Sequence, residues 1–186
     1  MGRCSYCRSA SGFTMVELAV VMVLLSVLLT MGIGSFARLM ESSRLRSLTN
    51  DLLVDLHLTR SEAILRGVRV AMCVATDENT CATSRGWHRG SLMFVDANNN
   101  GLREASEQVL RYRAPAPAGW ILSGNSPVAR YLSYDALGAT RLTSGGFQAG
   151  TVTVCQAGSA SRMARQVVIN SIGRPRSQEA TVNQCV

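Results

Sequence analysis

The sequence contains no lysine, although 19 of its 186 residues are basic. Every positive side chain is therefore an arginine, which binds carboxylates and phosphates through paired N–H groups rather than as a compact point charge. With 12 acidic residues the formal net charge is +7 at pH 7. This composition favours bidentate contacts to anionic groups, although a GC-rich genome would produce the same scarcity of lysine.

The sequence also lacks the short motifs of common catalytic sites. It contains no G-x-S-x-G, no H-E-x-x-H and no glycine-rich phosphate loop. Its two histidines are separate: His57 falls in a predicted helix, and His88 falls in a loop beside Trp87. We therefore predict a protein that is not an enzyme and needs no cofactor.

Charge is absent from the 20 residues between Leu18 and Ala37, which are predominantly apolar. At about 1.5 Å per residue, a helix of this length spans roughly 30 Å, the hydrocarbon thickness of a bilayer. Arg3 and Arg8 precede the run, so the positive-inside rule places the N-terminus in the cytoplasm. The sequence therefore predicts a single membrane span with the remaining chain outside.

Four of the six cysteines follow the apolar run. An even number of cysteines in that part of the chain fits an oxidising compartment, and four cysteines allow three pairings. We prefer a disulfide between Cys73 and Cys81, which closes a short loop, and one between Cys155 and Cys185, which fastens the C-terminus to the domain.

The remaining sequence predicts one long helix followed by short strands. Leucines recur at steps of three and four residues as far as Gly67, which predicts a helix from Phe13 to Arg66 with one apolar face. The charged residues, Asp55 among them, mostly fall off that face. After Gly67, alternating or β-branched segments separated by turn residues predict an α+β protein with antiparallel strands at 68–75, 90–96, 108–113, 120–124, 130–135, 150–156 and 165–171.

The segment SGFTMVELAVVMVLLSVLL resembles the processing site and N-terminal helix of type IV pilins and type II secretion pseudopilins. The resemblance implies that a prepilin peptidase cleaves after Gly12 and that Phe13 is then N-methylated. Glu17 becomes the fifth residue of the mature chain and is implied to act in assembly. Its carboxylate would pair with the N-terminal amine of a neighbouring subunit, because an unpaired charge in low dielectric costs several kcal/mol.

Four outer segments narrow the resemblance: DLLVDLHLTRSEAILRGVRVAMC, GWHRGSLMFVDANNNGLREASEQVLR, YDALGATR and VVINSIGRPR. They are similar to the FimT/FimU minor pilins and the GspH minor pseudopilins. The resemblance implies a type IV pilin fold, with a long N-terminal helix packed on an antiparallel β-sheet domain. Its expected parts are a leader at 1–12, a membrane-spanning helix half at 13–36, an amphipathic helix half at 37–67 and a periplasmic β-rich domain at 68–186.

The segment GRPR resembles the G-R-x-R motif of FimT-type pilins that bind DNA during natural transformation. Arg174 and Arg176 are expected to contact neighbouring phosphates of double-stranded DNA without sequence preference. Arg162 and Arg165 lie nearby in the sequence and complete the predicted set. A solvated basic tail without a partner is the alternative.

The segment DANNNGLREASE matches the spacing of a calcium-binding loop. Asp96, Asn98, Asn100 and Glu107 would supply oxygen ligands, and Gly101 would permit the sharp turn. The flanking segments are predicted strands, however, whereas a calcium loop of this kind lies between helices. We therefore predict a hairpin connection without a metal, with calcium binding as the alternative.

Together these features predict a minor pilin of a type IV pilus. It would span the inner membrane once, with its C-terminal domain in the periplasm, until it joins a pilus at the cell surface. Its expected partners are the prepilin peptidase, other minor and major pilins, and DNA taken up in transformation. Two alternatives stay open: a GspH-like pseudopilin of type II secretion without DNA binding, and a FimU-like assembly subunit without a DNA role.

Overall fold

The computed structural model describes residues 12–158 and 163–185, with the side chains of 27–35 excepted. The predicted leader up to residue 11, the candidate Arg162 and part of the predicted membrane span therefore lie outside the described residues. Within the described part, no helix is both long enough and apolar enough to cross a membrane. The chain separates into two compact units, Met1–Ser42 and Ser43–Val186.

One helix, α1, runs from Met15 to Arg66. Its first turn is capped by Thr14, whose Oγ1 accepts a hydrogen bond from the backbone N–H of Glu17 at 3.3 Å. It ends at Gly67, whose φ of 66° is the left-handed conformation common after helices. The predicted helix is thus observed, beginning two residues later than expected.

Two antiparallel four-stranded sheets follow α1. The first has the strand order β3-β2-β1-β5, and the second has the order β4-β6-β7-β8. Two short 3-10 helices, Trp87–Arg89 and Ser126–Val128, lie in the connections. The strands are β1 Val70–Val74, β2 Ser91–Val95, β3 Val109–Arg113, β4 Trp120–Gly124, β5 Tyr131–Tyr134, β6 Gly150–Gln156, β7 Met163–Ile169 and β8 Pro175–Thr181.

Among the described residues, β8 is the one strand that the sequence analysis did not predict. Its sequence PRSQEAT contains a single β-branched residue, Thr181, and begins with a proline, so it has little strand propensity of its own. Proline is tolerated at the first residue of an edge strand because no ladder hydrogen bond is lost there. Seven residue pairs with β7 hold β8 in the sheet.

The core of the second unit lies where α1 meets both sheets. Leucines of α1 pack with side chains from one face of each sheet. Leu56, Val70, Val154 and Val167 are each at most 1% exposed. A fully buried aliphatic side chain of this size contributes about 1.5–3 kcal/mol to folding.

Both disulfides that the sequence analysis preferred are present. The Cα atoms of Cys73 and Cys81 are 5.7 Å apart, and those of Cys155 and Cys185 are 5.9 Å apart. The first closes the loop that follows β1. The second fastens the segment after β8 to β6, as expected.

Candidate nucleic-acid interface and assembly residues

The GRPR segment begins in the tight turn between β7 and β8, which we call the arginine turn (residues 170–176). The backbone N–H of Gly173 donates to the carbonyl oxygen of Asn170 at 3.0 Å. The side-chain oxygen of Asn170 accepts the backbone N–H of Arg174 at 2.9 Å. These two bonds fix the backbone from which the arginines project.

Glycine is required at position 173 for two reasons: its backbone conformation and its close approach to Gly138. Its φ is 78°, and a Cβ atom there would lie 2.0 Å from the carbonyl oxygen of Gly138. Any side chain would push the arginine turn away from the hairpin that follows β5. The glycine of the motif therefore positions the arginines that follow it.

Arg174 and Arg176 are both exposed, whereas Pro175 between them is buried. Residues two apart in an extended chain are separated by about 6.6 Å, so the two side chains leave the same surface as neighbours. Within the described residues, neither guanidinium makes a hydrogen bond or an ion pair. Both charges are therefore available to an anionic partner.

Arg165 does not join this pair. It stands on the core-facing side of β7 with Val167 and lies opposite Glu179 in the register. Its Nη1 is 3.3 Å from the carboxylate of Glu179, which compensates its charge. Of the three predicted DNA-contacting arginines among the described residues, the structure thus brings together Arg174 and Arg176.

The predicted calcium loop connects β2 to β3, and its carboxylates face the loop backbone. Asp96 is fully buried and accepts the backbone N–H groups of Asn100 and Gly101 at 3.0 and 3.1 Å. Glu107 likewise accepts the N–H groups of Ala97 and Glu104, at 2.9 and 3.0 Å. Burial raises the pKa of Asp96, although the hydrogen bonds that Asp96 accepts from the backbone of Gly101 and Asn100 oppose the shift. No group of three histidine, cysteine, aspartate or glutamate side chains placed to hold a metal ion occurs in the described ranges.

The residues predicted for processing and assembly lie at the start of α1. Phe13 is 80% exposed, and Gly12 precedes it in non-helical backbone. Glu17 is an exposed carboxylate in the first turn of the helix, where the helix dipole favours a negative charge. Exposed apolar side chains from Met15 to Leu25 surround it along the helix.

Two sequence families match this chain. The family of the type II transport protein GspH matches residues 48–173, and the prokaryotic N-terminal methylation motif matches residues 7–33. The chain belongs to the GspH family. The matched range of the methylation motif includes Gly12, Phe13 and Glu17. No curated protein matches the chain.

Solved structures of the type IV minor pilin FimU from Pseudomonas aeruginosa strain PAO1 are similar to this GspH-family chain. For the crystal form in space group P21, the sequence identity is 21% and the TM-score is 0.60. The alignment covers 78% of this chain and 98% of that chain. In the P65 form the identity is 20% and the TM-score 0.57, with coverage of 76% and 100%. The likeness establishes the α+β type IV pilin fold.

Family and fold together identify the chain as a GspH-family protein with the type IV pilin fold. Pilins of this family and fold are structural subunits that interact with other pilins. The N-terminal methylation motif is that of a membrane-anchored pilus component.

Sequence reasoning missed the residues that surround the arginine turn. Gly138, which Gly173 touches, is 35 positions away in the sequence, and no local pattern links the two. Gln166 and Gln178 lie opposite each other on β7 and β8. Alternation within the β7 segment could have placed Gln166 on the exposed face, but its partner lies on the strand that was not predicted.

Proposed function

We propose that this chain is a minor pilin of a type IV pilus that supports assembly at the pilus tip and binds double-stranded DNA for uptake. The observation that carries the DNA role is the pair of exposed guanidinium groups at Arg174 and Arg176, which have no acidic partner among the described residues. They flank the buried Pro175 on a turn whose backbone is fixed by Asn170 and Gly173. A solvated basic tail would not be held in this way.

The proposed contacts are to phosphates and read no sequence. Each phosphate that an arginine neutralises releases counterions. The logarithm of the binding constant therefore falls linearly with the logarithm of the salt concentration, and each phosphate contact adds about 0.9 to the steepness of that slope. Arginine can hold a phosphate through two parallel N–H bonds, which a compact ammonium group cannot do. Two such contacts give salt-dependent binding that is indifferent to base composition.

The assembly role rests on the N-terminal segment. The prepilin peptidase would cleave between Gly12 and Phe13, and Phe13 would be N-methylated. The mature chain would stay in the inner membrane by a single span, with the β-rich domain in the periplasm, until it joins the pilus. Glu17 would then pair with the N-terminal amine of a neighbouring pilin.

A second candidate is a GspH-like pseudopilin of type II secretion without a DNA role. The match of residues 48–173 to the type II transport family favours it. Both candidates have the processing site and Glu17, so these features do not distinguish them. The two candidates differ in DNA binding and in their partners.

DNA binding is tested with the full-length chain in nonionic detergent and a double-stranded fragment. A mobility-shift titration at about 50 and about 200 mM salt compares the wild type with an Arg174→Gln, Arg176→Gln variant. We expect the variant to bind about tenfold more weakly at low salt, with a salt slope smaller by about 1.8.

The matched control is Arg85→Gln, Arg89→Gln. Both control arginines are exposed and have no side-chain partner within the described residues. Removing the same two charges there should leave the affinity within about twofold, because these arginines lie in the connection between β1 and β2 and not in the arginine turn. Absence of wild-type binding, or equal losses in both variants, would contradict the DNA role and leave a pure assembly subunit.

A further inference from the structure

The second sheet has an outer face, which we define as the side opposite the core. Along β7, Val167 and Ile169 point into the core, so Gln166 and Val168 stand on the outer face. Residues that are paired across neighbouring strands lie on the same face, so the register extends this assignment from β7 to β4, β6 and β8. The open part of the outer face consists of Ile121, Ser123, Thr151, Thr153, Gln166, Val168, Arg176, Gln178 and Ala180.

A row of amide and hydroxyl groups crosses this face from edge to edge. Gln178 Nε2 donates to Gln166 Oε1 at 3.1 Å, and Gln166 Nε2 donates to Thr153 Oγ1 at 3.4 Å. Ser123 lies opposite Thr153 on the far edge strand. The row is therefore pre-ordered, which lowers the entropy lost when these groups contact a partner.

This polar row adjoins the arginine turn. Arg176 is two residues before Gln178 on β8 and stands on the same face. On the opposite side of the row, Ala164 and Cys155 also belong to the outer face, yet each is 3% exposed. The disulfide from Cys155 to Cys185 draws the segment after β8 over them. The open surface is thus bounded by arginines at one end and by the C-terminal segment at the other.

The outer face carries no acidic and no aromatic side chain among the described residues of its four strands. The acid of β8, Glu179, stands on the core-facing side with Arg165. We propose that the outer face continues the DNA-binding surface of Arg174 and Arg176 and contacts the phosphate backbone of duplex DNA. This inference rests on the proposed function and extends it to a specific surface.

The size of the face decides how it meets the duplex. Four strands separated by about 4.8 Å span roughly 14 Å, which is wider than the major groove at about 12 Å. A sheet of this width lies across the backbone and does not enter a groove. Glutamine, serine and threonine side chains are common phosphate ligands, and they carry no sequence information there. Because no aromatic side chain offers a stacking platform, the face is not built for single strands.

The experiment places one carboxylate in the row, using the full-length chain in detergent. Gln178→Glu is the main variant, because Gln178 is exposed and the substitution does not disturb the core. Ser106→Glu, in the exposed loop between β2 and β3, is the control with the same change of charge. At low salt we expect Gln178→Glu to bind duplex DNA about fivefold more weakly than the control does, because like charges at a contact repel.

A second variant and a second ligand complete the test. Gln166→Glu should weaken duplex binding as Gln178→Glu does, and a single-stranded fragment of equal length should bind no more tightly than the duplex. If the wild type binds duplex DNA and only the arginine variant loses it, the outer-face contact is wrong and the arginine role stands. If the wild type binds no DNA, both are overturned. Tighter binding of the single strand overturns the assignment to duplex.

Discussion

At the scale of single residues, Asp55 shows how a charge can sit inside this fold. It is 2% exposed on α1, and Arg113 of β3 donates to both of its carboxylate oxygens, from Nε to Oδ2 and from Nη2 to Oδ1, the latter at 2.8 Å. Arg111 adds a third cationic contact at 3.5 Å. The hydrogen bond to Asp55 raises the pKa of Arg113, so this arginine stays charged.

Replacing Asp55 with alanine should lower the free energy of unfolding by about 3–5 kcal/mol, because it leaves the Arg113 guanidinium without its buried partner. The matched variant is Asp51→Ala, which removes a half-exposed acid 3.8 Å from the same arginine. That loss should stay below about 1 kcal/mol. Urea unfolding followed by circular dichroism measures both variants, and equal losses would contradict the buried-pair interpretation.

The sequence did not predict this pair. Asp55 falls among charged residues beside the apolar face of α1, and the sequence pattern assigned it to solvent. Which of those charges is buried depends on where β3 ends, and Arg113 lies 58 positions away. A periodic pattern carries no information on contacts of that kind.

At the scale of elements, β8 and its C-terminal extension are held by pairing and by a covalent bond. The strand has weak propensity of its own, and a disulfide between Cys155 and Cys185 encloses it at a sequence separation of 30. The other disulfide, between Cys73 and Cys81, has a separation of 8. In the chain-entropy account, a bond that closes the longer loop stabilises the fold more.

Removing the Cys155–Cys185 bond by double replacement with serine should therefore lower the unfolding free energy by about 3–4 kcal/mol. Removing Cys73–Cys81 in the same way should cost about 2.5 kcal/mol. Chemical unfolding of the two double variants under identical conditions compares them. A larger loss for the shorter loop would show that packing around Cys73, which is 1% exposed, outweighs chain entropy.

At the scale of the whole molecule, the proposed function joins an N-terminal assembly segment to an outer binding domain. Glu17 is the residue on which assembly is expected to depend. Glu17 is an exposed carboxylate in the apolar first part of α1, and inside an assembled fibre its burial would be costly unless it met a positive group on another subunit.

In cells that assemble pili, Glu17→Ala should reduce the amount of this chain in the sheared pilus fraction by about tenfold, the effect of losing about 1.4 kcal/mol or more of pairing. Its level in the membrane should be unchanged. Glu78→Ala, at an exposed acid of the outer domain, serves as the control. Immunoblotting of both fractions measures the outcome, and normal incorporation of the Glu17 variant would contradict the pairing.

The sequence alone was enough to predict the long helix, seven of the eight described strands, the preferred disulfide pairing and the family, because each depends on local pattern, spacing or a short motif. The tertiary structure alone decided which charges are buried or compensated. It separated Arg165, which pairs with Glu179, from Arg174 and Arg176, whose guanidinium groups have no partner among the described residues. It also brought Gly138 against Gly173 and aligned Gln166 with Gln178. Such relations join residues distant in the chain, and they follow from strand pairing and close packing.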